Sequence, residues 1–138
     1  MIINSAGIIP YRFNPDTDEI EFFVGTSGDN LWSFLKGKQE PGENLWETAV
    51  REFREESGHD VSESESIFPI NLGTYKQRRD KSITAFAIYW PDLNPDECHD
   101  KDNGREIKSY RWMNLEEILL VGYESHKLFF SKLADFKK

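Results

Sequence analysis

Apolar positions in the first third of the chain fall in short runs separated by turn residues, the pattern of strands. Ser5 to Phe13 is apolar-rich and reads as a strand. Asn14-Pro15-Asp16 supplies a turn, and Glu19 to Thr26 reads as a second strand through Ile20, Phe22, Phe23 and Val24, so the two form a hairpin. Ser27-Gly28-Asp29-Asn30 turns the chain again. Leu31 to Gly42 carries Trp32, Phe34 and Leu35, then Gly37, Pro41 and Gly42, which predicts a short strand running into a constrained loop.

At Asn44 the pattern becomes helical. Asn44 is a good N-cap, Glu47 three positions later completes a capping-box pair, and Gly58 closes a helix that ends at Ser57. Ile67 to Tyr75 and Ser82 to Trp90 read as two further strands. Pro91 to Gly104 is polar and acidic and reads as a long exposed loop, and Glu106 to Met113 alternates as another strand. Asn114 then caps a short helix through Leu120, and Tyr123 to Phe136 forms a terminal amphipathic helix. Strand pairs interleaved with helices predict an α/β sandwich with a mixed sheet.

The 138 residues suit one domain spanning 1–138, and 38% hydrophobic residues suffice for a packed core. A formal charge of −8 argues against a general nucleic-acid binder, which needs Lys and Arg to replace phosphate counterions. It leaves phosphorylated small molecules open, because a bound divalent cation reverses the local field. Cys98 is the single cysteine, so no intramolecular disulfide or Cys-rich metal site is available. The N-terminus lacks a basic stretch followed by an apolar run, and no segment approaches the ~18 apolar residues of a spanning helix. The expectation is a cytoplasmic protein, away from membranes, acting as a monomer or homodimer.

The informative chemistry lies between Gly37 and Gly58. On a helical wheel Leu45, Trp46, Ala49, Val50 and Phe53 gather in an arc of about 140°, which is core. Glu52, Glu55 and Glu56 fall in a neighbouring arc of about 100°, while Glu47, Arg51 and Arg54 point towards solvent. Glu52 is i,i+3 from Glu55 and i,i+4 from Glu56, so like charges are neighbours at the border of the core. A solvated acidic face is the plain alternative, but a hard cation compensates crowded carboxylates better than water does. Mg²⁺ favours such oxygen ligands together with retained waters and substrate phosphates.

Gly37, five residues, Glu43, seven residues, Arg51-Glu52-Phe53, one residue, Glu55-Glu56, one residue and Gly58 together resemble the signature of the Nudix hydrolases, complete over 22 residues. His59 departs from the aliphatic residue usual there, and Leu35 stands where many relatives have Pro. Ser5 to Ile9, Trp32 to Phe34, Ile83 to Ala87 and Tyr110 to Trp112 resemble the family's flanking strands, extending the likeness from about residue 3 to 135. The resemblance implies an α/β/α sandwich with a mixed sheet. It implies Glu52, Glu55 and Glu56 as Mg²⁺ ligands, with Mn²⁺ as a substitute, and the Gly37 carbonyl as a further ligand.

By the same resemblance Glu52, Glu55, Arg51 and Glu43 belong to the catalytic apparatus, with Glu43 near the metal or paired with Arg51. The general base stays open among these glutamates and a carboxylate from elsewhere. Glu106 is either an extra ligand or an exposed acid. Lys36, Lys38 and Arg78 are candidates for substrate phosphates, with Lys76, Arg79 and Lys81 behind them, although a solvated hairpin turn is the better reading of residues 76 to 81. Trp32 and Tyr75 are candidates for base stacking, although core packing is the commoner role for both. His59, His99 and His126 lack metal-ligand spacing and read as non-catalytic.

The implied activity is hydrolysis of a phosphoanhydride in a nucleoside diphosphate linked to a further group. The flanking strands look most like those of hydrolases of nucleoside triphosphates and diadenosine polyphosphates. The rival is a Nudix domain that binds a nucleotide or nucleotide sugar as a sensor without turnover; such domains lose signature glutamates, and here none is missing. An isoprenoid diphosphate isomerase would need a catalytic Cys and further His ligands, and Cys98 in a polar loop suits neither role.

Overall fold

The computed structural model describes residues 2–66, 68–101 and 106–137. Seven strands, β1 (Ile3–Phe13), β2 (Ile20–Thr26), β3 (Trp32–Ser33), β4 (Leu35–Lys38), β5 (Ile70–Arg78), β6 (Lys81–Tyr89) and β7 (Ser109–Asn114), join in one mixed sheet. Its spine runs β3-β2-β1-β6-β5, with β4 added to β1 and β7 to β2. β1 pairs in parallel with β6 and antiparallel with β2 and β4. The long β1 thus holds the hairpin partner β2 against Tyr11 to Phe13 and the loop strand β4 against Ser5 to Ile8.

Three helices, α1 (Leu45–Ser57), α2 (Leu115–Val121) and α3 (Lys127–Phe136), cover the sheet. Alternation along the strands divides the core between its faces. Ala6, Ile8, Phe23, Phe86 and Ile88 turn one way and pack with Ala49 and Phe53 of α1. Ile9, Tyr11, Phe22, Val24, Ile83 and Ala85 turn the other way and meet Ile118 of α2 and Phe129, Phe130 and Leu133 of α3. Each layer is closed by aromatic edges, Phe23 on Phe53 and Phe22 on Phe130. The result is an α/β/α sandwich. Among the described residues no helix is long and apolar enough to cross a membrane.

The caps stand where the sequence puts them. The Asn44 side chain accepts from Glu47 N while Glu47 reaches back to the Asn44 N–H, and Gly58 ends α1 at φ 79°, a left-handed conformation that suits glycine. Asn114 and Glu117 make the same reciprocal pair for α2.

Several boundaries differ. β5 begins at Ile70, three residues inside the expected strand, whose start at Ile67 lies outside the described residues, and it runs on to Arg78. β7 begins at Ser109 and not at Glu106, because residues 106 and 107 give their N–H groups to the Asp100 carboxylate instead of a neighbouring strand. The terminal helix breaks into a 3-10 turn, Glu124–His126, before α3. The expected exposed loop from Pro91, whose end at Gly104 also lies outside the described residues, is not uniformly exposed. It holds a 3-10 turn at Pro95–Glu97 and buries Leu93 and Asp100. His59 fastens this segment, with Nδ1 2.9 Å from Glu63 Oε1 and Nε2 3.0 Å from the Glu97 carbonyl, which gives a polar residue a role where an aliphatic one is usual.

Candidate active site

The loop between β4 and α1 is bound to the helix by Arg51. Its Nε donates to Glu43 Oε2 at 2.6 Å and its Nη2 to Glu43 Oε1 at 3.0 Å, a two-pronged pair. Nη2 also reaches the Lys38 carbonyl at 2.9 Å, and Nη1 reaches Glu52 at 2.8 Å and Glu55 at 3.4 Å. Arg51 therefore does not point to solvent, as the helical wheel suggested; the loop folds over its side of the helix and half-buries it. Glu47 and Arg54 are exposed as expected. The guanidinium, with the Glu40 N–H and the Thr48 hydroxyl, holds the Glu43 carboxyl down at about 2, and this pair fixes loop against helix.

Gly37 lies opposite Glu52. A Cβ at Gly37 would collide with the Glu52 carboxyl group, so a bare backbone is what lets this carboxylate rest against β4. The obstructing group is the free end of a flexible side chain, so Gly37→Ala should disturb Glu52 without disturbing the fold. We expect Gly37→Ala to change thermal stability by less than about 1 kcal/mol but to lower kcat by roughly 10²-fold, the scale of a misplaced catalytic group. Paired melting and rate measurements check both halves.

Glu52, Glu55 and Glu56 line a cleft of about 350 Å³ with Asp100, Lys101 and Glu106. Glu55 is exposed, Glu52 half-buried and Glu56 buried with 5% of its surface accessible. Burial, then the charges of Glu52 and Glu106, push the Glu56 carboxyl up to about 9. Burial raises Glu52 too, against the pull of Arg51. Among the described residues Glu56 Oε1 is the buried side-chain oxygen without a hydrogen-bond partner. A buried acceptor left unpaired among other carboxylates is costly, and a cation is the partner its surroundings suit.

Among the described residues no three acidic, His or Cys side chains already form a metal cage. Glu52 leans on Arg51, Glu55 extends to solvent and Glu56 turns inward. The donor set itself, three carboxylates beside Glu106, fits a hard divalent ion.

A second cavity, of about 400 Å³, opens beside the first and shares Glu56 and Glu106 with it. Its walls include Leu31, Phe34, Ile107 and Tyr123, and Lys36 reaches in from β4. Burial lowers the Lys36 pKa, opposed by the Glu56 charge. His126, also in this wall, is buried with Nδ1 2.6 Å from the Ser33 hydroxyl; burial and the charges of Lys36 and Lys81 push it down to about 3, so it is neutral at neutral pH.

Of the basic candidates, the structure brings Lys36 to the second cavity. The Lys38 side chain is exposed, with its carbonyl held by Arg51. Arg78 is largely exposed at the end of β5, 3.4 Å from Asp80, and lines neither cavity. Trp32 packs partly against the core with Arg111 over its ring, and Tyr75 faces a groove beside α3. Burial pushes the Cys98 thiol up to about 12, an inert state. Asp100, Tyr123 and the buried side of His126 were missed by sequence reasoning. Asp100 sits in a stretch that looks merely solvated, and the other two sit in one that looks merely helical.

A carboxylate cleft at the end of a helix, joined to a pocket with apolar walls and one lysine, has the groups that a divalent cation and a phosphorylated small molecule would need. A profile of the NUDIX domain matches residues 11–133, and the chain belongs to the Nudix hydrolase family. The bis(5'-nucleosyl)-tetraphosphatase [asymmetrical] of Mus musculus is 33% identical over 125 residues, which cover 85% of this chain and 82% of the mouse protein. Among solved structures, the Ap4A hydrolase of C. elegans in a binary complex superposes with a TM-score of 0.75 at 22% identity, covering 99% of this chain and 98% of that one. The NUDIX domain of Shewanella oneidensis NrtR complexed with ADP ribose gives 0.76 at 11% identity, covering 100% and 90%. These two likenesses are of fold.

Proposed function

We propose that this enzyme cleaves a dinucleoside tetraphosphate asymmetrically, using Mg²⁺ held by Glu52, Glu55 and Glu56. The observation that carries the metal is the buried, unpartnered Glu56 oxygen at the wall between the two cavities. What supports the substrate is the mouse tetraphosphatase, similar over most of both chains. An unequal split of four bridging phosphates leaves a nucleoside triphosphate and a nucleoside monophosphate.

Hydrolysis forms a bond from the water oxygen to the attacked phosphorus and breaks the bridging P–O bond. Glu52, Glu55 and Glu56 would hold the divalent cation, which when bound would supply neutralisation of phosphate charge and a lowered pKa for the attacking water. The proton lost by the attacking water passes to one of the cleft carboxylates. Lys36 faces the phosphates as a point charge from the pocket side, a better placement than Arg78 has. Glu43 and Arg51 act one step back, holding the Gly37 to Glu43 loop and the Glu52 carboxylate in place. Leu31, Phe34, Ile107 and Tyr123 offer apolar and aromatic surface for a nucleoside. His126 stays neutral and is no proton donor in this scheme.

The test is a comparison of kcat/KM across dinucleoside tetraphosphates, nucleoside triphosphates and nucleotide sugars with Mg²⁺ present, products being resolved by ion exchange. The expected result is a preference of at least about tenfold, 1.4 kcal/mol in the transition state, for the tetraphosphate. A preference for a triphosphate or a nucleotide sugar would overturn the substrate and leave the metal site standing.

A further inference from the structure

The C-terminal end of α1 leaves its last carbonyls without helical partners, and those of Glu55, Glu56 and Ser57 are taken up by later parts of the chain. The Lys101 N–H donates to the Glu55 carbonyl at 2.9 Å and the His99 N–H to the Ser57 carbonyl at 3.0 Å. The Tyr110 hydroxyl donates to the Glu56 carbonyl between them. Residues 99 to 101 are thereby strapped to the end of the helix that bears Glu52, Glu55 and Glu56.

Asp100 sits at the centre of this strap with 6% of its surface accessible. Its Oδ2 accepts the Glu106 N–H at 3.1 Å and the Ile107 N–H at 2.9 Å. Two backbone donors on one charged oxygen are charge-assisted hydrogen bonds, stronger than neutral ones. They delay the start of β7 until Ser109 and hold Glu106 at the border of both cavities, where its charge raises Glu56.

The geometry points to Asp100 as a positioning residue that sets Glu106 across the cleft from the helix carboxylates, completing the oxygen set for the divalent cation. This rests on reading the cleft as the cation site. Asp100 links the carboxylate helix to the opposite wall through the backbone N–H groups of residues 106 and 107, so the chain fixes the spacing of the two walls before any cation arrives. Its effect on the cation passes through Glu106.

The test is Mn²⁺ binding to the full chain, followed by electron paramagnetic resonance, with melting curves alongside. Asp100→Ala and Asp100→Asn are measured in the wild-type and Glu106→Gln backgrounds, with Glu52→Gln as the control for the cleft. Outer partners of metal ligands typically matter by about 10-fold in affinity, and that loss is expected for Asp100→Ala and for Glu106→Gln. Asp100→Asn, which keeps an acceptor oxygen and the volume, should lose less and carries the test if the alanine variant does not fold. In the Glu106→Gln background either Asp100 change should have no further effect on Mn²⁺, because residues acting in series do not add.

Additive losses in that background would overturn the positioning role and make Asp100 a ligand in its own right. A lower melting temperature with Mn²⁺ affinity unchanged would overturn it in favour of a purely structural role. If Glu52→Gln weakens Mn²⁺ while both Asp100 variants bind as wild type, the cleft stands and the inference falls. No Mn²⁺ binding by the wild type would overturn the cleft and the inference together.

Discussion

Glu56→Gln is expected to make the metal-free protein more stable while lowering kcat/KM on the order of 10²- to 10³-fold, the scale set by removing one preorganised charge-stabilising group. The two effects share a cause. Glu56 is buried among carboxylates and its carboxyl is pushed up to about 9. The folded chain therefore holds a proton that the unfolded chain releases near 4.5. Between those values the native state binds more protons than the unfolded one, so stability falls as pH rises from about 4.5 to about 9. At pH 7 the difference is of order 3 kcal/mol, from about 1.36 kcal/mol per unit.

Gln at this position cannot ionise, and its amide N–H groups suit the neighbouring carboxylates. In EDTA at pH 7 to 8 the variant should melt higher than wild type by about 5 °C or more, with a flatter pH dependence. Added Mg²⁺ should raise the melting point of wild type and leave the variant nearly unmoved. Equal melting points in EDTA, or equal responses to Mg²⁺, would contradict the assignment of the buried oxygen to the cation.

The second large effect is expected at Arg51. This side chain joins Glu43, the Lys38 carbonyl, Glu52 and Glu55, so its loss frees the loop and the Glu52 carboxylate together. Arg51→Ala should lower kcat by roughly 10²-fold through misplacement. Arg51→Lys should rescue little, because an ammonium cannot make the two-pronged contact with Glu43. Stability carries a signature as well. Glu43 is held down at about 2, so its contribution is present above about 4.5 and is lost as pH falls towards 2. In Arg51→Ala that acid limb should flatten as the Glu43 carboxyl returns towards its ordinary range. A variant with wild-type kcat and an unchanged acid limb would show that the clamp is incidental.

Features governed by local rules were legible in the sequence. The reciprocal caps at Asn44 and Asn114, the glycine at position 58 and the apolar stripe through Ala49 and Phe53 each follow from residues a few positions apart, and each is found in place. The spacing of Glu52, Glu55 and Glu56 likewise put them on one side of the helix, and the cleft gathers all three.

What was not legible depends on what lies against an element. A helical wheel gives Arg51 an angle, but the loop from Lys38 to Glu43 turns that angle from solvent into a half-buried clamp. Asp100 occupies a polar stretch whose composition predicts exposure; its burial comes from being strapped to the end of a helix over forty residues earlier. The late start of β7 has the same origin, since the N–H groups of residues 106 and 107 are spent on Asp100. Arg78 and Lys36 are equal as letters in the chain, yet β4 carries only the latter to the pocket.

Metal-dependent hydrolysis at the carboxylate cleft can be read out directly from product formation. Wild-type protein and Glu56→Gln are incubated with a dinucleoside tetraphosphate in EDTA and then with rising Mg²⁺, and the products are separated over time. The expected result is no turnover in EDTA, Mg²⁺-dependent release of triphosphate and monophosphate in equal amounts by wild type, and a loss on the order of 10²-fold or more in the variant. Turnover that survives chelation would contradict the cation's role, and tight binding of the nucleotide with no turnover at any Mg²⁺ concentration would make the protein a sensor and not an enzyme.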